Sequence, residues 1–312
     1  MSGASSMTTR DGTLPKRAAA LPDLKPHQLY PEGRALRADF LRATPRPLMS
    51  RGTPVTSIGS CFAMEIRNFL LSKGYNYLQT ATVRNAPHSP SAWNRVYNTF
   101  SLHQEFQRAL SSFTPQERFW ELDGQILDPY RRWVTWASRE QAEAELDQHR
   151  RSATAALTQA RVVIITIGLR EIWYSKLDGS VFCQAPPARL FDPDRHAFRN
   201  TTVEENVRNL EAIHALLADR NPGCQIILTV SPVPLAATFN DQNVVISNAL
   251  SKATLVLAAH EFISRHDNIS YFPGYELVTV AIRKALERDN RHVRRRTVRQ
   301  IMNVFEHMFV EP

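Results

Sequence analysis

Between residues 55 and 272 short apolar runs alternate with longer stretches in which apolar residues recur every three or four positions. The runs predict five strands, at Val55–Ile58, Tyr75–Leu78, Val162–Ile167, Gln225–Val230 and Ile269–Phe272. The third and fourth, Val-Val-Ile-Ile-Thr-Ile and Gln-Ile-Ile-Leu-Thr-Val, are almost continuously apolar, as central strands of a parallel sheet covered on both faces must be. Helical spacing predicts Ala63–Lys73, Gln104–Ser111, Arg139–Gln159, Val203–Asp219, Asn243–Arg265 and Val293–Phe309. This order predicts an α/β fold, a three-layer α/β/α sandwich around a mainly parallel five-stranded sheet.

Three stretches depart from the alternation. Residues 1–45, rich in Pro, Ala, Ser and Thr, read as a flexible or surface-draped arm with one short helix near Glu32 to Leu41. Residues 46–312 then form a single domain. Residues from about 84 to 137 carry four of the five tryptophans and little periodicity, and read as an insertion flanking a site. Trp173 to Cys183, with Asp178-Gly179 at its tip, reads as a hairpin.

In an open parallel sheet, ligands collect at the carboxyl ends of the strands. After the first strand stand Gly59, Ser60 and Cys61, at a strand-to-helix turn where backbone N–H groups and a helix dipole can hold a developing oxyanion. An ordinary serine N-cap beside a buried cysteine would leave the same trace. After the third strand come Gly168, Arg170 and Glu171; after the fourth, Ser231-Pro-Val-Pro234. Beyond the fifth lies Asp289-Asn-Arg-His292. A serine hydroxyl needs a histidine to remove its proton, and that histidine needs a carboxylate to fix its tautomer, so Ser60, His292 and Asp289 form a candidate triad. Cys61 is a candidate thiol nucleophile, but adjacent residues at such a turn point in different directions, and Ser60 is the preferred assignment. Glu171 suits either an ion pair with an arginine, the preferred reading, or a substrate hydroxyl.

Charge adds one feature. The chain carries a formal +8, and Arg288, Arg291, Arg294, Arg295, Arg296 and Arg299 fall close together. A solvated helix face is the simple reading; an anionic ligand at Arg291, Arg294, Arg295 and Arg296 is the functional one, and no nucleic-acid motif accompanies it. Three scattered cysteines and histidines without ligand spacing predict no metal site and no cofactor. No stretch reaches the ~20 apolar residues that span a bilayer, no signal-peptide core follows Lys16 and Arg17, and a cytoplasmic setting is expected.

Gly59-Ser60-Cys61-Phe62-Ala63 resembles the signature of the bacterial GSCFA family. Further matching blocks are Val96-Tyr97-Asn98-Thr99-Phe100, Thr166-Ile-Gly-Leu-Arg-Glu171, Ser231-Pro-Val-Pro234, Phe272-Pro-Gly-Tyr-Glu276 and Asp289-Asn-Arg-His-Val293. The resemblance implies a relationship to the SGNH (GDSL-like) hydrolases, with a flavodoxin-like sandwich. It implies Ser60 as nucleophile, His292 as base, Asp289 as its carboxylate, and an oxyanion hole built in part from the Ser60 N–H. SGNH enzymes place Gly-x-Asn after the third strand; here the triplet is Gly168-Leu169-Arg170, and Asn98 is the candidate substitute, or else simply the cap of the helix that follows. Cys61, Asn98, Gly168 and Glu171 are thus expected to surround the oxyanion or substrate. The implied activity is acyl-ester hydrolysis or O-acyl transfer on an acylated carbohydrate or glycolipid. The alternative is a weak or inactive relative binding a polyanion through its arginine-rich C-terminal face.

Overall fold

The computed structural model describes residues 45–80 and 93–312. The expected N-terminal arm and its short helix fall almost wholly outside the described residues. In chain order the elements are β1 (Val55–Gly59), α1 (Cys61–Ser72), α2 (Thr99–Leu110), β2 (Trp120–Leu122), β3 (Gln125–Leu127), β4 (Thr135–Trp136), α3 (Arg139–Gln159), β5 (Val162–Ile167), β6 (Glu171–Ser175), β7 (His196–Asn200), α4 (Val203–Arg220), β8 (Gln225–Val230), α5 (Val244–Ile263), β9 (Ile269–Tyr271), α6 (Gly274–Glu276, continued by a π-helical turn to Ala281) and α7 (Arg295–Phe309).

Among the described residues the central sheet has four strands, not five, in the order β1-β5-β8-β9, all parallel. The expected strand at Tyr75–Leu78 meets β1 at one bridge, Tyr77 to Val55, with backbone bonds from the Val55 N–H to Asn76 O and from the Leu78 N–H to Val55 O. It runs past the start of β1 without extending the sheet. Tyr75 and Tyr77 still bury their rings, so its alternation reports burial rather than pairing.

The register explains why the central strands are almost continuously apolar. Val163 and Ile165 of β5 pack with Ile226 and Leu228 of β8 against α2, α3, α4 and α5 through Phe106, Leu157, Ile213 and Leu255. The intervening Val162 and Ile164, with Ile227, face α1 and α7 through Phe62, Ile66, Leu70, Phe305 and Phe309. Period-two alternation thus delivers apolar side chains to both faces, and helices cover each.

Caps begin the helices. Ser60, Asn98, Ser138 and Thr202 each accept a backbone N–H from the first turn of α1, α2, α3 and α4. The insertion contributes α2 and a small antiparallel sheet, β2-β3-β4. It is pinned by Arg131, 2% exposed, which bonds Asp128 (2.7 Å) and Glu145 (2.6 Å). The turn at Asp178-Gly179 is present, with Gly179 at φ 76°, and Tyr174 bridges Val181. The full ladder of β6, however, is with β7, twenty residues further on. Among the described residues no helix is long and apolar enough to cross a membrane.

Candidate active site

The carboxyl ends of β1, β5 and β8 open onto one cavity of about 730 Å³. Ser60, Cys61, Asn98, Gly168, Glu171, Arg291 and His292 all line it; Asp289 stands behind His292.

Gly59 makes the turn possible. Its φ is 140°, and a Cβ there would lie 2.1 Å from Thr166 O and 2.4 Å from Thr166 Oγ1. Only glycine lets β1 approach β5 so closely before the chain swings into α1. The approach brings the Ser60 N–H to Thr166 Oγ1 (2.7 Å) and Thr166 O (3.2 Å), and sets the Ser60 hydroxyl 3.1 Å from the Thr166 hydroxyl. Ser60 Oγ also accepts the Phe62 N–H at 3.3 Å. The Ser60 N–H is therefore committed to Thr166, against its expected place in an oxyanion hole. The next donor, the Cys61 N–H, occupies the first helical position and has no acceptor within the helix.

Asn98 is the cap of α2. Its Oδ1 accepts the Ser101 N–H (2.8 Å) and caps α2, while its amide Nδ2 has no hydrogen-bond partner among the described residues. Gly168 does not act as a donor, because its N–H goes to Tyr97 O at 2.8 Å. It is instead a spacer: a Cβ there would sit 3.8 Å from the Ser60 Cβ and 3.5 Å from that of Ser231. Glu171 makes no ion pair among the described residues; its Oε1 accepts from Thr238 (2.7 Å) and Asn240 (2.9 Å). Arg170, the expected partner, leaves its Nε buried without an acceptor.

Asp289 and His292 are joined as expected of an Asp-x-x-His. His292 Nδ1 donates to Asp289 Oδ2, and Asp289 Oδ1 accepts the N–H groups of Arg291 and His292, each at 3.0 Å. These donors hold the Asp289 carboxyl well below the usual carboxylate range. With Nδ1 occupied, Nε2 is the nitrogen left to act as base. The hydrogen bonds of Ser60 go to Thr166 and Phe62, and those of His292 to Asp289, so nucleophile and base share the cavity without a bond between them.

Burial raises the Cys61 thiol despite the nearby cations Arg95, Lys252 and Arg291, which keeps it protonated and disfavours thiolate chemistry. The C-terminal arginines do not form one face. Arg291 lines the cavity, Arg294 turns its Nε back to Leu286 O (2.6 Å), and Arg295 borders a different hollow beside Glu65.

Sequence reasoning missed Thr166, Lys252, Arg95 and Arg132. Lys252, 1% exposed on α5, donates from Nζ to Gly168 O and Val233 O, each at 3.0 Å, tying together the loops after β5 and β8. Burial lowers its pKa to about 7. It was visible as the only charged residue between Val244 and His260. Among the described residues no group of three His, Cys, Asp or Glu side chains is placed to hold a metal ion.

No curated protein matches the chain. The sequence does match the model of the GSCFA family over residues 54–305, from the strand that presents Gly59 and Ser60 to the last helix beyond His292. That span covers every element around the cavity, and the chain belongs to the GSCFA family.

Proposed function

We propose that the protein is a serine-dependent acyl-ester hydrolase or O-acyltransferase of the SGNH type, acting on an acylated carbohydrate or glycolipid. The observation that carries this reading is the pairing of Ser60 and His292 on one cavity, with the Asp289 carboxylate on His292 Nδ1.

His292 Nε2 takes the Ser60 proton as Oγ attacks the ester carbonyl, giving a tetrahedral oxyanion. The Asn98 amide and the Cys61 N–H are the donors available to it, in place of the missing Gly-x-Asn. Collapse expels the alcohol, which takes the proton back from His292, and leaves an acyl group on Ser60. Water or a sugar hydroxyl, deprotonated by His292, then releases the acyl group. The transfer requires the His292 ring and the Ser60 hydroxyl to approach each other, since hydrogen bonds of this kind tighten on substrate binding.

A fluorophosphonate probe followed by peptide mass spectrometry tests the assignment. The expected adduct lies on Ser60 and forms at least about 10²-fold more slowly in His292→Ala. No adduct at Ser60, or one formed as fast in that variant, would sink the reading.

A further inference from the structure

Three arginines line the cavity beside Ser60 and Cys61, and none has a carboxylate partner among the described residues. Arg95, Arg132 and Arg291 take part in no ion pair among the described residues, and the Nε atoms of Arg132 and Arg291 are buried without an acceptor. Arg95 and Arg132 are held instead by Trp133, their guanidinium carbons 4.8 and 4.5 Å from its ring centre. Stacking fixes the plane of a guanidinium and leaves its N–H edge for an oxyanion.

The three converge. All three line the cavity with Tyr97 and Cys61: Arg95 spends part of its N–H edge on a hydrogen bond to the Tyr97 phenol, which desolvation raises, Arg132 lies near the same phenol, and Arg95 and Arg291 lie near the Cys61 thiol. The acidic residues on the cavity wall do not neutralise them. Glu171 is engaged by Thr238 and Asn240, and the cation whose field lowers Glu65 is Arg295, with which it shares the neighbouring hollow.

Another part of the wall is apolar. Trp173 packs on Phe239 and Phe198 at ring distances of 4.9 and 5.5 Å, and Phe239 stays 59% exposed. Exposed aromatic surface inside a cavity and unpaired guanidinium groups beside it ask for one ligand with both characters.

We infer that the substrate is an anionic amphiphile: an ester bearing a carboxylate or phosphate group held by Arg95, Arg132 and Arg291, with an apolar chain lying on Trp173, Phe198 and Phe239. The inference rests on the acyl-transfer reading for the word substrate and on the cavity alone for the ligand.

The test is calorimetric titration of Ser60→Ala, which needs no chemistry, with octanoate, octyl phosphate and octanol. At least one of the two anions is expected to bind about tenfold or more tightly than octanol, and the better anion identifies the acidic group. Arg132→Gln and Arg291→Gln each weaken that anion about tenfold and leave octanol unchanged. Raising the ionic strength from about 0.05 to about 0.5 M weakens the anion in the unsubstituted arginine background, independently of any arginine variant. Octanol binding as tightly as both anions, binding indifferent to salt and to both arginine substitutions, or no binding by any of the three overturns the inference. If the anions bind but Ser60 takes no fluorophosphonate, the acyl-transfer reading falls and the anion site stands.

Discussion

The Ser60 hydroxyl lies 3.1 Å from that of Thr166, and the same Thr166 oxygen receives the Ser60 N–H at 2.7 Å. One side chain on the neighbouring strand thus holds both the backbone and the hydroxyl of the proposed nucleophile. Thr166→Val keeps the shape but leaves the buried Ser60 N–H with only the longer bond to Thr166 O. The expected cost is about 1–3 kcal/mol in urea unfolding, the penalty for an under-satisfied buried donor. Fluorophosphonate labelling of Ser60 should change with it, because the hydroxyl loses the partner that orients it. Unaltered stability and labelling would show that Thr166 does not hold Ser60.

Two glycines with positive φ separate strain from collision. Gly74, at φ 74°, has nothing within 4 Å of an added Cβ, so Gly74→Ala should cost only about 1 kcal/mol. Gly59→Ala must push a methyl group into the Thr166 backbone, and should cost more than about 3 kcal/mol or prevent folding. Thermal unfolding of the two variants side by side measures the difference, and equal losses would refute the close approach of β1 to β5.

Lys252 gives the protein a pH dependence of a definite sign. Folding lowers its pKa from an ordinary 10.5 to about 7, so between those values the unfolded chain binds the proton and the folded chain does not. Stability should therefore rise with pH across that window, on the order of a few kcal/mol. Lys252→Met should remove that part of the slope, read as the difference between the two urea-unfolding profiles from about pH 6 to pH 10. Identical slopes would mean that the amine is not desolvated.

Asp289 should behave oppositely. Its carboxyl is lowered by folding, so what it contributes is present above the ordinary aspartate range and is lost only as pH falls through the folded value, below that range. Carbon-detected NMR should find no Asp289 transition between about pH 3 and pH 6. A transition near the ordinary aspartate value would mean that the His292 and backbone donors do not hold it in solution. Asp289→Asn should reduce Ser60 labelling by releasing the His292 tautomer rather than by unfolding the chain.

What the sequence made legible follows from how local each signal is. Val162–Ile167 and Gln225–Val230 were readable to the residue, because burial on both faces leaves each strand almost continuously apolar. The pairing of Asp289 with His292 was readable because both partners sit in one turn. The partner of β6 was not: β7 reads His-Ala-Phe-Arg-Asn, and an antiparallel pair twenty residues apart leaves no turn signal. Arg95 and Arg132 lay in the aperiodic insertion, where no pattern says which way a side chain faces. The arginine cluster could not be sorted from sequence, because Arg291 precedes α7 and lines the cavity while Arg295 and Arg299, one turn apart, border another hollow.

Ser60 is a helix cap before it is anything else, its oxygen accepting the Phe62 N–H at the start of α1. Attack on a carbonyl takes that oxygen away from the helix. In the proposed reaction the substrate's oxyanion forms beside the same first turn, on the Cys61 N–H, as the Phe62 N–H loses its acceptor. The proposed ester would thus cap α1 one residue earlier than Ser60 does at rest, and the capping of the helix would pass to the tetrahedral species as its charge appears.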